Sequence, residues 1–172
     1  TYHPELKLSE NIQASDSLEN VMKNASIVFI ATPSVVFEQI IKRISKLLED
    51  NSYIISCTKG ILGNPFRTLS DIIISNVNNN IGVLSGPNLA KEIAENKVAG
   101  SVIASSNSNL IDSVKTVLSS NTFKIYSSND LHGIELAGAI KNIYAIICGL
   151  AEALEVGENA IGLILTRSMA EM

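Results

Sequence analysis

The stretch Ser26-Ile27-Val28-Phe29-Ile30-Ala31-Thr32-Pro33-Ser34 decides the fold. Its first six residues are apolar and β-branched almost throughout, the pattern of a strand buried on both faces of a parallel sheet. Thr32-Pro33-Ser34 then opens a helix, because the first turn tolerates a residue with no N–H to donate. Over 35–48 the apolar residues Val36, Ile40, Ile41, Ile44, Leu47 and Leu48 recur at helical spacing, with Glu38, Lys42, Arg43 and Lys46 on the other side. A buried strand followed at once by an amphipathic helix is the opening of a βαβ unit.

Working outward, the same alternation continues. Strands are predicted at 53–57, 81–84, 100–104 and 124–126, and helices near 66–74, 90–96 and 110–118, which indicates an α/β, doubly wound sheet. After Ser127-Ser128-Asn129-Asp130 the strand signals stop. Asn129 or Asp130 is placed to cap a long helix over about 131–154, and a further helix starts near Glu158 and runs to the end. The change from α/β to all-α places a domain boundary between residues 129 and 130.

The chain has 172 residues, 46% of them hydrophobic and 17% charged, and a net charge of -4. That composition supports a sizeable core, and the dispersed lysines lack the clustered basic footprint of a nucleic-acid binder. Cys57 and Cys148 each lie in an apolar run with no Cys or His at ligand spacing, so they read as reduced core residues, and neither a metal site nor a disulfide is expected. The charge-free run 143–151 is far shorter than the roughly 20 residues of a membrane span, so none is expected there. The chain opens on Thr1-Tyr2-His3-Pro4 and stops within a helical pattern, so both ends look cut.

One lysine interrupts the long apolar helix. On a helix the near neighbours of Lys141 are Ile134, Ala137, Gly138, Tyr144, Ala145 and Cys148, none of them charged, so its ammonium is expected on a buried face. Two readings stay open on these grounds: a lysine that snorkels to water, or one whose proton affinity is lowered by desolvation. Three loops at presumed strand ends add to the picture, because ligands of doubly wound sheets sit at the strand carboxyl ends. They are Ala31-Thr32-Pro33-Ser34, Cys57-Thr58-Lys59-Gly60 and Ser85-Gly86-Pro87-Asn88-Leu89-Ala90-Lys91-Glu92. Each alone reads equally as a cap or a turn, but three such loops together suggest one site.

These loops, together with Gly133-Ile134-Glu135-Leu136-Ala137-Gly138-Ala139-Ile140-Lys141-Asn142, Gly157-Glu158-Asn159-Ala160 and Thr166-Arg167-Ser168-Met169-Ala170-Glu171-Met172, follow one another in an order and spacing that resembles the bacterial type of NAD-dependent glycerol-3-phosphate dehydrogenase. The resemblance covers essentially the whole chain. It implies a Rossmann-like sheet over 1–129, followed over 130–172 by the first helices of an all-α substrate domain. It also implies hydride transfer between NAD or NADP and the pair sn-glycerol 3-phosphate and dihydroxyacetone phosphate, in the cytoplasm, with a product used in phospholipid synthesis.

Carried over by residue, the resemblance makes Lys141 the proton donor and acceptor at the substrate oxygen. Lys59 contacts substrate and cofactor, Gly86 and Asn88 contact substrate, and Ala90 contacts the cofactor. Asn88 departs from the hydroxyl residue usual at its position, but an amide still donates and accepts. Glu135 and Asn142, seven residues apart on one helical stripe, are read as support for Lys141, with core pairing of a buried Glu135 as the alternative. Arg167 is read as structural, and His3 and His132 receive no role. A homodimer is expected from the resemblance alone. The family's N-terminal Gly-rich fingerprint and its C-terminal Arg-Asn motif are not in this chain, so the 172 residues alone are expected to lack turnover.

Overall fold

The structure is a computed structural model describing residues 9–172; His3 lies outside that range. Seven helices and seven strands alternate: α1 (Leu18–Met22), β1 (Ile27–Ile30), α2 (Ser34–Ile44), β2 (Tyr53–Ser56), β3 (Ile61–Gly63), β4 (Phe66–Thr68), α3 (Leu69–Ile74), β5 (Ile81–Ser85), α4 (Ala90–Ala94), β6 (Ala99–Ala104), α5 (Ser108–Leu118), β7 (Phe123–Ser128), α6 (Leu131–Ala153) and α7 (Glu158–Glu171). Five strands form one sheet in the order β1-β2-β5-β6-β7. Alternate side chains of a strand face opposite sides, so adjacent Ile54 and Ile55 enter different cores. Ile54 joins Phe37, Ile41, Leu69 and Ile72 under α2 and α3, whereas Ile55 joins Ile103, Leu110 and Val114 under α5. The expected two-sided α/β fold is therefore present, and burying Phe37 alone contributes about 1.5–3 kcal/mol.

The sheet is mixed. β1, β2 and β5 are mutually parallel, β6 runs antiparallel to β5, and β7 is parallel to β6. The link after β5, residues 86–98, carries the five-residue helix α4, and β6 returns beside β5 in the opposite direction. Register then places Ser128 beside Ala104 and Ala104 beside Val83. The chain leaves β7 level with the middle of β5, and α6 climbs past the end of that strand.

Several sequence expectations are corrected in detail. The helix expected over 66–74 begins only at Leu69, since residues 66–68 pair with 61–63 in a two-stranded hairpin around a cis Asn64-Pro65 bond. Thr68 starts the helix with a capping box, accepting from the Asp71 N–H at 3.3 Å while Asp71 Oδ2 accepts from the Thr68 N–H at 2.9 Å. The buried stripe of α2 runs through Phe37, Ile41 and Ile44, not through Val36, which is exposed. Cys57 and Cys148 are free and half-buried; Cys57 packs against the core under α5, whereas Cys148 joins neither core. Asp130 does cap α6, its Oδ1 accepting from the Gly133 N–H at 2.8 Å.

The run 143–151 is also only part of a longer element. At 23 residues α6 is long and apolar enough to cross a membrane by length and composition. Its first turns nonetheless pack on the sheet unit, with Glu135 and Gly138 buried. Beyond them Ile143, Ile146, Leu150 and Leu154 are exposed.

Candidate active site

Because β1, β2 and β5 are parallel, the loops that leave their carboxyl ends share one edge of the sheet. Polar side chains tie those loops together. Thr58 Oγ1 donates to the Thr32 carbonyl oxygen at 2.8 Å, joining the second loop to the first. Lys59 Nζ donates to the Gly86 carbonyl oxygen at 3.0 Å, joining the second to the third. Ser101 Oγ, from β6, donates to Asn88 Oδ1 at 2.8 Å. That bond orients the Asn88 side chain and leaves its amide NH₂ to donate to a ligand.

A cavity of about 480 Å³ opens among these loops, lined by Thr32, Ser34, Cys57, Lys59 and Asn88 among others. A second cleft of about 250 Å³ adjoins it and is bordered by Ser85, Gly86, Gly138 and Lys141. Gly86 thus holds Lys59 and also lines the cleft that Lys141 borders. Lys59 binds its proton less tightly than an ordinary lysine, first through partial burial and then through the positive charge of Lys141. Burial pushes the Cys57 thiol up to about 11, so at neutral pH it is a neutral wall of the cavity and not a nucleophile.

Lys141 does not lie on a buried face as its local sequence predicts. It is exposed, and its Nζ donates to Asn142 Oδ1 at 3.1 Å. The reason is that α6 packs on the sheet through its first turns, and beyond Lys141 it lies mostly open, with Ile143, Ala145, Ile146 and Ile147 exposed and Tyr144 and Cys148 half-buried. Asn142 therefore does touch Lys141. Glu135 does not: it is 3% exposed and its two oxygens accept from the Ser70 N–H at 3.0 Å and Ser70 Oγ at 2.6 Å. Glu135 is a paired core carboxylate that joins α6 to α3. Ala90 begins α4, is exposed, and lines neither cavity. Arg167 pairs with Glu171 at 2.9 Å on the surface of α7.

Gly86 is required by close approach. A Cβ at this position would lie 2.6 Å from the Gly100 carbonyl oxygen and 2.8 Å from the Ser101 Cα, both backbone atoms that cannot swing aside. Gly86→Ala is expected to cost about 1–3 kcal/mol through overpacking. A urea titration should read this as a lower midpoint with an unchanged slope, and an unchanged midpoint would contradict the close approach. Sequence reasoning missed Ser70 and Ser101, and it quoted Ser85 only as the first residue of the third loop, without a role. Of the two missed, only Ser70 carried a signal, since Thr68-Leu69-Ser70-Asp71 spells a helix start.

Among the described residues no group of three or more His, Cys, Asp or Glu side chains is placed to hold a metal ion. A mixed α/β sheet with a polar crevice at its strand carboxyl ends is the arrangement in which doubly wound folds, nucleotide-binding proteins among them, hold their ligands. Family models described as NAD-dependent glycerol-3-phosphate dehydrogenase N-terminus and C-terminus match residues 1–111 and 130–172. The chain belongs to the NAD-dependent glycerol-3-phosphate dehydrogenase family.

A glycerol-3-phosphate dehydrogenase [NAD(P)+] of Alcanivorax borkumensis is 43% identical over 172 residues, which is 99% of this chain and 50% of that protein. The crystal structure of glycerol-3-phosphate dehydrogenase from Coxiella burnetii is 30% identical with a TM-score of 0.87, covering 98% of this chain and 52% of that one. The Saccharomyces cerevisiae glycerol-3-phosphate dehydrogenase structure is 25% identical with a TM-score of 0.88, covering 98% and 51%. The chain spans about half the length of these relatives.

Proposed function

We propose that the full-length protein interconverts sn-glycerol 3-phosphate and dihydroxyacetone phosphate with NAD or NADP, as a cytoplasmic homodimer whose product serves phospholipid synthesis. Family membership supports the reaction, and the observation that carries it to a site is the meeting of Lys59 and Lys141 at the Gly86 loop. An ammonium group that feels the positive charge of a second one favours an anionic ligand between them, since such a ligand offsets the repulsion. Both substrates are phosphate esters. We read residues 1–129 as belonging to the cofactor domain and 130–172 as the start of the substrate domain.

The residues present fit a nicotinamide cofactor. Thr32 Oγ1 is buried without a hydrogen-bond partner at the wall of the larger cavity, and Lys59 and the Asn88 amide add donors beside it. Such a polar-sided crevice suits an amide-bearing ring, and Ala90 is proposed to contact the same cofactor. When bound, the nicotinamide supplies or accepts the hydride. Lys141, protonated, donates to the ketone oxygen as negative charge develops there, and in the reverse direction neutral Lys141 takes the hydroxyl proton. Lys59 serves as a fixed positive point charge toward the anionic substrate. Asn142, bonded to Lys141, restrains the direction of its Nζ–H groups.

The test is dihydroxyacetone-phosphate-dependent oxidation of NADH or NADPH by the purified full-length protein. Oxidation that saturates with dihydroxyacetone phosphate is expected. Equal rates with a non-phosphorylated hydroxyketone would count against the reading.

A further inference from the structure

Ser70 has no place in the chemistry above, yet it is fully buried and bonded on three sides. Its backbone N–H and Oγ–H both go to Glu135, at 3.0 and 2.6 Å. With that hydroxyl proton committed to the carboxylate, the 2.9 Å contact between Ser70 Oγ and Thr68 Oγ1 is donated by Thr68. Thr68 Oγ1 in turn accepts from the Asp71 N–H at 3.3 Å. The chain of donors runs one way, from the first turn of α3 into the carboxylate of α6, and bonds aligned in this sense reinforce one another. A carboxylate taken from water needs such donors, and Glu135 has both its oxygens supplied by one residue.

Three residues further along the helix, Gly138 meets the sheet. A Cβ there would lie 2.6 Å from Ser85 Oγ, so α6 passes very close to the end of β5. Lys141 comes three residues after that. Six residues of α-helix span about 9 Å, and each three-residue step turns the side-chain direction by about 60° in the same sense. The sequence Glu135, Gly138, Lys141 thus successively faces α3, the end of β5 and the cleft beside Gly86.

We propose that Ser70 is a positioning residue for the reaction, acting through Glu135 to fix the axial position and rotation of α6 and so the place of Lys141 against the Gly86 loop. The proposal rests on the proton-transfer role of Lys141. Two contacts on different faces are needed to fix a rod both along and about its axis. The Gly138–Ser85 approach is a steric stop that limits how near α6 comes, whereas the Ser70–Glu135 pair is directional and sets where along its axis the helix rests. Removing the Ser70 hydroxyl leaves the backbone N–H as the one donor from Ser70 to Glu135, so α6 stays seated but its position along and about its axis is less tightly set.

The experiment is a double-mutant cycle in the full-length protein, with Ser70→Ala and Lys141→Ala singly and together. Ser70→Ala is expected to lower kcat for dihydroxyacetone phosphate reduction by about tenfold to hundredfold, the scale of a misplacement of about 1 Å, with the dissociation constant for NADH unchanged. In the Lys141→Ala background the same change should lower kcat less than about twofold, since residues acting through one group are non-additive. Equal losses in both backgrounds mean general damage and overturn the proposal, as does full activity of Ser70→Ala. Near-normal turnover of Lys141→Ala alone overturns instead the proton-transfer reading. If Ser70→Ala does not fold, Glu135→Gln is used in the same cycle, because it keeps an acceptor for the Ser70 N–H and changes only the charge and the second bond.

Discussion

Lys141→Ala in the full-length protein should lower kcat by about 10²–10⁴, the usual contribution of a positioned general acid or base, while the dissociation constant for the cofactor stays within about twofold. The geometry separates the two effects. Lys141 borders the cleft beside Gly86 and Gly138, whereas the cavity fitted to the nicotinamide is lined by Thr32, Lys59 and Asn88 from other elements. The lysine is exposed and makes one side-chain hydrogen bond, to Asn142, so its removal leaves no buried group unpaired and should not unfold the protein. A stopped-flow single-turnover measurement would locate the loss in the chemical step. Turnover within tenfold of the parent would assign Lys141 to solvation of an otherwise apolar helix.

Lys59→Met should raise KM for dihydroxyacetone phosphate by about tenfold to 150-fold, the equivalent of one lost hydrogen bond between charged groups at about 1.5–3 kcal/mol. The change also releases the Gly86 carbonyl, which Lys59 now holds at 3.0 Å. Its pH dependence carries a definite sign. Lys59 is depressed below an ordinary lysine, so it loses its charge, and with it the attraction for an anion, as pH rises through a value lower than the usual ~10.4. Substrate affinity of the parent should therefore be full near neutral pH, where Lys59 is protonated and the phosphate ester has lost its second proton, and weaken on the alkaline side. Lys59→Arg, which keeps its charge, should flatten that limb. A parent KM that fell as pH rose above neutral, or a limb that persisted unchanged in Lys59→Arg, would remove Lys59 from the anion site.

Much of the scaffold was readable because each element is locally consistent. The run Ile27-Val28-Phe29-Ile30 reads as a strand and is one, although only Ile30 is buried and Phe29 is exposed, not buried on both faces as expected; Pro33 marks the turn after it, and Asp130 sits where a long helix needs a cap. The missed hairpin of 61–63 and 66–68 has strands of three residues, too short for alternation to register, although Asn64-Pro65 is a turn signal. Reversal of β6 against β5 was not readable either. Strand direction depends on where a connection lands, and β6 looks the same to a periodicity argument whichever way it runs.

The sequence by itself determined the family, the alternation of strands and helices, and the chemical types available: Thr32, Lys59, Gly86 and Asn88 at three strand ends and Lys141 on the helix that follows the sheet. These are local properties, carried by residue identity and spacing. Only the tertiary structure decided how they meet. The parallel run of β1, β2 and β5 puts Thr32, Lys59 and Gly86 on one edge, and the packing of α6 through its first turns leaves Lys141 exposed where helical spacing alone placed it in a core. The partner of Glu135 shows the difference most directly. Spacing on its own helix grouped it with Asn142 as support for Lys141 and left core pairing as the alternative without naming a partner; the carboxylate pairs with Ser70, sixty-five residues earlier in the chain. A buried charge goes to whichever donors the fold brings within hydrogen-bonding reach, and distance along the sequence does not enter that competition.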